Sequence, residues 1–212
     1  MTVFAISIVG CGPGAPEYLT PAARRAIDEA EVLVGARRVL DALPASRAER
    51  IVVGTDVAGA LDSLAPRVGR QRIAVVVSGD PGACSLAQPV LRRFGRERCR
   101  VIPGVSSVQV AFARLGLEWF DATLLSAHAG TPTVAPETLV REPKIGVLAG
   151  SAEAMPWIAA LGHRLADSHA IFLCESLTLP DERVRQLSAA ELAAQAPPLR
   201  AIVLLIRREM LA

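Results

Sequence analysis

Apolar residues along this chain come in short runs, spaced by mixed segments of about helical length. Residues 4–9, 32–34, 51–53, 72–77 and 99–102 read as strands, 4–9 as a buried one and the strongly β-branched 72–77 as a central one. Between them, residues 22–30, 58–64, 85–94 and 106–115 place their apolar positions on one helical face. Thr20 supplies an N-cap and Pro21 a first helical position for the earliest of these. A further strand is expected at 122–125. Strands alternating with helices predict a mostly parallel sheet with helices on both faces.

Beyond Ser126 the texture changes. Residues 129–136 are rich in Gly, Thr and Pro and read as a linker. A second series follows, with strands at 145–148, 170–174, 183–187 and 201–206 and helices at 152–161 and 189–195. The expected architecture is therefore α/β, with two α/β domains at 1–126 and 137–212 and a linker at 127–136. Two such units usually place their site in the cleft between them.

Composition narrows the classes. Of 212 residues, 51% are hydrophobic and 21% charged, too apolar for a disordered chain. No apolar run approaches the roughly 20 residues needed to span a bilayer, and residues 1–9 lack the basic leader and cleavage pattern of an export signal. Cys11, Cys84, Cys99 and Cys174 are widely spaced and contain no Cys-x-x-Cys pair, which favours free thiols in a reducing cytoplasm over a disulfide framework. The net charge of +2 gives no general attraction to nucleic acid. Lys144 is the single lysine among 23 basic residues. Arginine forks bind carboxylates in bidentate fashion, so a few could face an acidic ligand.

Four segments could hold chemistry. Gly10-Cys11-Gly12-Pro13-Gly14-Ala15 follows the first strand and formally satisfies G-x-G-x-x-A. Pro13 and Pro16 remove backbone donors, the helix signal waits until Thr20, and no acidic residue ends the second strand. A dinucleotide site is thus disfavoured against a close-approach loop or a plain turn. Ser78-Gly79-Asp80-Pro81-Gly82 ends the most apolar strand, where parallel sheets bind ligands. Asp80 could accept from an ammonium or ribose hydroxyls, or merely cap the turn. Pro103-Gly104-Val105-Ser106-Ser107 again joins strand to helix, and Cys174-Glu175-Ser176-Leu177 leads to Pro180-Asp181-Glu182-Arg183-Val184.

Taken in order, VGCGPGAPEYLT, SGDPGACSLA, IPGVSSVQVAFARLGL and CESLTLPDERV resemble the tetrapyrrole methylase family across nearly the whole chain. Within it, the last two segments resemble the cobalamin-pathway branch that methylates C5 of precorrin-7 or its cobalt form. The resemblance implies two α/β domains that fold S-adenosylmethionine between them, with no metal. It implies that Pro13, Ser78, Gly79, Asp80, Ala83, Ser106, Ser107, Ala149 and Leu177 contact this methyl donor. The loop at Gly10, Gly12 and Gly14 would face the tetrapyrrole, with Arg37, Arg38 and Arg114, and also Arg24, as candidates for its carboxylates. It further implies a homodimer and a possible C15-methyltransferase/decarboxylase partner module. The chain departs from the family at Ser176, where Asn is frequent, at Ala83-Cys84, and at His128-Ala129-Gly130, where His-Gly-Arg is common.

Methyl transfer from a sulfonium needs alignment more than acid-base groups, because the donor carries its own leaving group. No nucleophile elbow or metal-ligand spacing is present, and His128 is the one candidate base, or else a solvated loop histidine. A methylase acting at another ring position, a non-catalytic tetrapyrrole-binding subunit and a Rossmann oxidoreductase are the competing readings.

Overall fold

The computed structural model describes residues 5–128, 130–151, 154–195 and 201–211; Phe4, Ala129 and Ala152, at the edges of expected elements, lie outside them. The chain divides into two compact units, Met1–Ser106 and Ser107–Ala212.

The first unit is built on strands β1 (Ile6–Gly10), β2 (Val32–Gly35), β3 (Glu49–Val52), β4 (Ile73–Val77) and β5 (Cys99–Ile102). They form one parallel sheet in the order β3-β2-β4-β1-β5. Successive side chains on each strand go to opposite faces. Ile6, Ile8, Val32, Val34, Ile73 and Val75 face helices α3 (Val57–Asp62) and α4 (Ala87–Phe94). Val9, Leu33, Ala74, Val76 and Ile102 face α1 (Pro21–Asp28) and α2 (Arg37–Ala42). Burial on both sides explains why β1, β2 and β4 read as largely apolar runs, while the edge strands β3 and β5 leave Val52 and Val101 exposed. Thr20 caps α1 as its position suggests, its hydroxyl accepting from Ala23 N–H at 3.1 Å.

Helix α2 has no counterpart among the expected elements. Its N-cap position is Ala36, with no side-chain cap, and its C-terminal end is served from outside: Arg50 donates to Leu40 O at 2.7 Å within the helix and to Pro44 O at 2.6 Å just beyond it.

The second unit begins with α5 (Ser107–Arg114) and continues through β6 (Thr123–Ala127), β7 (Lys144–Ala149), α6 (Ala154–Leu165), β8 (His169–Glu175), β9 (Arg183–Leu187), α7 (Ala189–Ala193) and β10 (Ala201–Arg207). Its sheet is mixed, ordered β6-β7-β10-β8-β9, with β6 and β7 parallel and the remaining pairs antiparallel. Val147, Leu173, Val203 and Leu205 pack under α6 and α7. On the other face, Gly146 leaves room beside Leu124, Leu204 and the fully buried Phe112 of α5. That packing assigns α5 to the second unit. By their contacts the units divide at Ser106 and Ser107, while the change of composition lies at 127–136.

Candidate active site

β1 and β4 are neighbours in the first sheet, yet the helices that follow them, α1 and α4, pack on opposite faces. Such a reversal opens a crevice beyond the carboxyl ends of the two strands. Loops 10–14, 78–83 and 103–106 meet at this end. Cys11 N–H donates to Val77 O at 2.8 Å, Gly79 N–H to Gly12 O at 2.7 Å and Gly12 N–H to Gly79 O at 3.3 Å. A β-carbon on Gly10 would stand 2.6 Å from Gly104 N and 2.7 Å from Gly79 O, so only glycine lets the three backbones touch. Gly12 is left-handed, at φ +76°, and the Tyr18 carbonyl fills the place of its missing side chain. The glycine character of Gly10 and Gly12 thus follows from contacts with protein, while Gly14 stands exposed and Pro13 half-buried.

Asp80 closes this arrangement. Its half-buried carboxylate accepts Gly82 N–H on Oδ1 at 2.7 Å and Gly104 N–H on Oδ2 at 3.1 Å. A carboxylate offers about four lone-pair positions, so acceptor capacity remains beyond these two bonds. Ala83 sits beside it, its N–H donating to Asp80 O at 3.1 Å. Arg38 Nη2 donates to Ser78 Oγ at 3.0 Å, bringing the start of α2 to the end of β4, and Arg37 is exposed next to it. Ser106 is buried. The first unit therefore gathers Gly10, Gly12, Ser78, Gly79, Asp80 and Arg38 around Gly104, whose N–H role as partner to Asp80 has no signature in sequence.

In the second unit, Ser107 opens α5. The parallel register sets Ala127 opposite Ala149, so the following residues His128 and Gly150 meet; the exposed His128 imidazole occupies the space a β-carbon on Gly150 would need. Leu177 is buried between Ser176 at φ +47° and Thr178 at φ +71°. Left-handed backbone costs a non-glycine residue about 1–2 kcal/mol. Ser176 Oγ donates to Asp181 Oδ2 at 2.8 Å, and Thr178 N–H to Glu182 Oε2 at 2.5 Å. Arg114 is engaged by that same carboxylate, donating from Nε to Oε1 at 2.5 Å and from Nη2 to Oε2 at 3.1 Å. The Arg114 hydrogen bonds, supported by the Thr178 N–H, hold the Glu182 carboxyl below its ordinary range against burial.

Burial pushes the Cys11 thiol up to about 12 and the Cys174 thiol likewise to about 12, the latter helped by the Glu182 and Glu175 charges, so neither is a nucleophile near neutrality. All four cysteines are free. Among the described residues no three His, Cys, Asp or Glu side chains come together as metal ligands, and no helix is long and apolar enough to cross a membrane.

Comparison with known proteins gives a consistent picture. The family model for tetrapyrrole (corrin/porphyrin) methylases matches residues 5–193. A cobalt-precorrin-7 C(5)-methyltransferase from Salmonella typhimurium is 32% identical over 209 residues, spanning 96% of this chain and 100% of its own. A decarboxylating precorrin-6Y C(5,15)-methyltransferase from Mycobacterium tuberculosis is 32% identical over 196 residues, 91% of this chain but 48% of its own. A uroporphyrin-III C-methyltransferase from Thermus thermophilus, crystallised with S-adenosyl homocysteine, superimposes with a TM-score of 0.74 at 26% identity, covering 95% of this chain and 96% of its own.

Proposed function

The chain belongs to the tetrapyrrole (corrin/porphyrin) methylases, and we propose that it transfers a methyl group from S-adenosylmethionine to C5 of cobalt-precorrin-7 in cobalamin biosynthesis. The observation that carries this reading is the match to the Salmonella relative over the whole of that protein's length. The donor set fits the methyl donor. A sulfonium, an ammonium and ribose hydroxyls all seek acceptors, and the crevice offers the free lone pairs of Asp80 and the Ser78 hydroxyl.

S-adenosylmethionine, when bound, supplies the methyl group and its own neutral leaving group. The chain's task is then to hold two partners in line, a contribution of about 7–11 kcal/mol to lowering a barrier of this kind. Asp80 fixes the loops at 78–83 and 103–106 to each other, and we assign it, with Pro13, Ser78, Gly79, Ala83 and Ser106, to donor binding. Ser107, Ala149 and Leu177 are assigned the same task on the resemblance. Gly14, with the loop around Gly10 and Gly12, and the exposed Arg37 and Arg38 are assigned to the tetrapyrrole. His128 is assigned, as the candidate base, to accept a ring proton. A homodimer, a cytoplasmic location in keeping with free thiols, and a separate C15-methylating and decarboxylating partner belong to the same proposal. What supports the partner is the Mycobacterium relative, of which this chain matches about half.

The test is incubation with S-adenosylmethionine and either precorrin-7 or its cobalt form, followed by mass and NMR assignment. A single new methyl on C5 of the cobalt form is the expected product. Methylation at another carbon, or no turnover of either substrate, overturns the proposal.

A further inference from the structure

The connection between β8 and β9 holds a backbone shape its own residues do not favour. Among the described residues three non-glycines have a left-handed φ, and two of them, Ser176 and Thr178, flank Leu177. Strained backbone of this kind persists where surrounding groups over-determine it. Inside the loop, Leu179 N–H donates to Ser176 O at 2.9 Å and Glu182 N–H to Leu179 O at 3.0 Å. From outside, the Arg114 fork locks the Glu182 carboxylate, which in turn takes the Thr178 N–H. Most surface ion pairs contribute little, but this one is bidentate, and its carboxylate is less than one quarter exposed, at 23%. Arg114 also ends the helix that Ser107 opens. One ion pair therefore ties together, within the second unit, the two segments that hold Ser107 and Leu177.

We infer that Arg114 and Glu182 are positioning residues that hold the backbone at 176–178, and with it Leu177, in the shape that receives the adenosyl donor. This rests on the donor-binding role proposed above for Leu177. It replaces a direct contact of Arg114 with substrate carboxylates by an indirect role on the donor side.

Two conservative variants separate these roles. Arg114→Lys keeps the charge but loses the fork, and Glu182→Gln keeps an acceptor oxygen for Thr178 N–H but loses the charge. Both raise the calorimetric Kd for S-adenosylhomocysteine about tenfold, equivalent to about 1.4 kcal/mol. Both raise the donor KM in step, leaving kcat at saturating donor and the tetrapyrrole KM within about twofold of wild type. Hydrogen exchange at the Thr178 amide accelerates in the same variants. Unchanged donor affinity in both variants, or a rise in tetrapyrrole KM confined to Arg114→Lys, overturns the inference while leaving the proposed function standing. Failure of the wild-type protein to bind S-adenosylhomocysteine overturns the donor reading, and the inference with it.

Discussion

Asp80 serves the fold and the proposed chemistry with the same two oxygens. Each accepts a backbone N–H, from Gly82 and from Gly104, and hydrogen bonds to a charged group contribute about 1.5–3 kcal/mol each when well made. Asp80→Ala therefore removes S-adenosylhomocysteine binding and lowers stability by about 3 kcal/mol, the low end of the two bonds together because the carboxylate is half-buried, read by calorimetry and urea titration. Asp80→Asn, with one acceptor oxygen left, loses less of both. Unchanged affinity in the alanine variant would remove Asp80 from the donor site. Gly10→Ala tests the contact between loops separately. Its methyl group would meet the Gly104 nitrogen and the Gly79 carbonyl inside van der Waals distance, and overpacking of this kind costs about 1–3 kcal/mol. A denaturation midpoint equal to wild type would show that the loops give way freely. Both residues are legible in sequence because they stand at the ends of apolar strands. Their partners are not, because the bonds from Gly104 to Asp80 and from Arg38 to Ser78 join residues 24 and 40 positions apart.

Among the elements, legibility follows where the stabilisation comes from. β4 and residues 201–206 of β10 bury both faces and read as uninterrupted apolar runs, β1 nearly so with Ser7 between its Ile6 and Ile8, and α1 advertises itself through Thr20 and Pro21. Helix α2 depends on Arg50 from β3, and α5 is drawn into the second unit by Phe112; neither dependence leaves a local pattern. The start of β8 yields a pH prediction. His169 is fully buried, with Nε2 donating to Glu142 O at 2.9 Å and Nδ1 accepting from the Ser168 hydroxyl at 2.8 Å. Burial pushes its pKa below 6.5, Arg207 and Arg208 act in the same sense, and the Glu142 carbonyl and Glu209 oppose them. The unfolded chain then binds a proton that the folded chain refuses once the pH falls below about 6.5. The contribution is complete above that pH and is lost as pH falls toward the folded value, at no more than about 1.4 kcal/mol per unit. His169→Gln should flatten the fall in urea midpoint between about pH 7.5 and pH 5.5. An unchanged profile would show that other groups carry it.

For the molecule as a whole, the alternation of strands and helices fixes the α/β class but not the direction of each strand. The period-2 pattern of a buried strand is the same read either way, so the antiparallel pairing of β10 with β7 and β8 is visible only in the structure. Charge behaves similarly. A net +2 spread over 212 residues gives no long-range field, and attraction for an acidic tetrapyrrole must come from arginines in particular places. Arg37 and Arg38 are exposed at the start of α2, where screening acts fully, while Asp80 and Ser78 are half-buried and feel it less. The screening length shrinks from about 10 Å at 0.1 M salt to about 3 Å at 1 M. Across that range the Kd for the tetrapyrrole should rise several-fold, while that for zwitterionic S-adenosylhomocysteine moves by less than about twofold. Arg37→Gln should weaken the salt dependence and leave donor binding close to wild type, whereas adding Arg38→Gln also removes the hydrogen bond to Ser78 Oγ. If tetrapyrrole affinity is insensitive to salt in the wild type, those two side chains do not meet its carboxylates, and apolar contact with the macrocycle must supply the affinity instead.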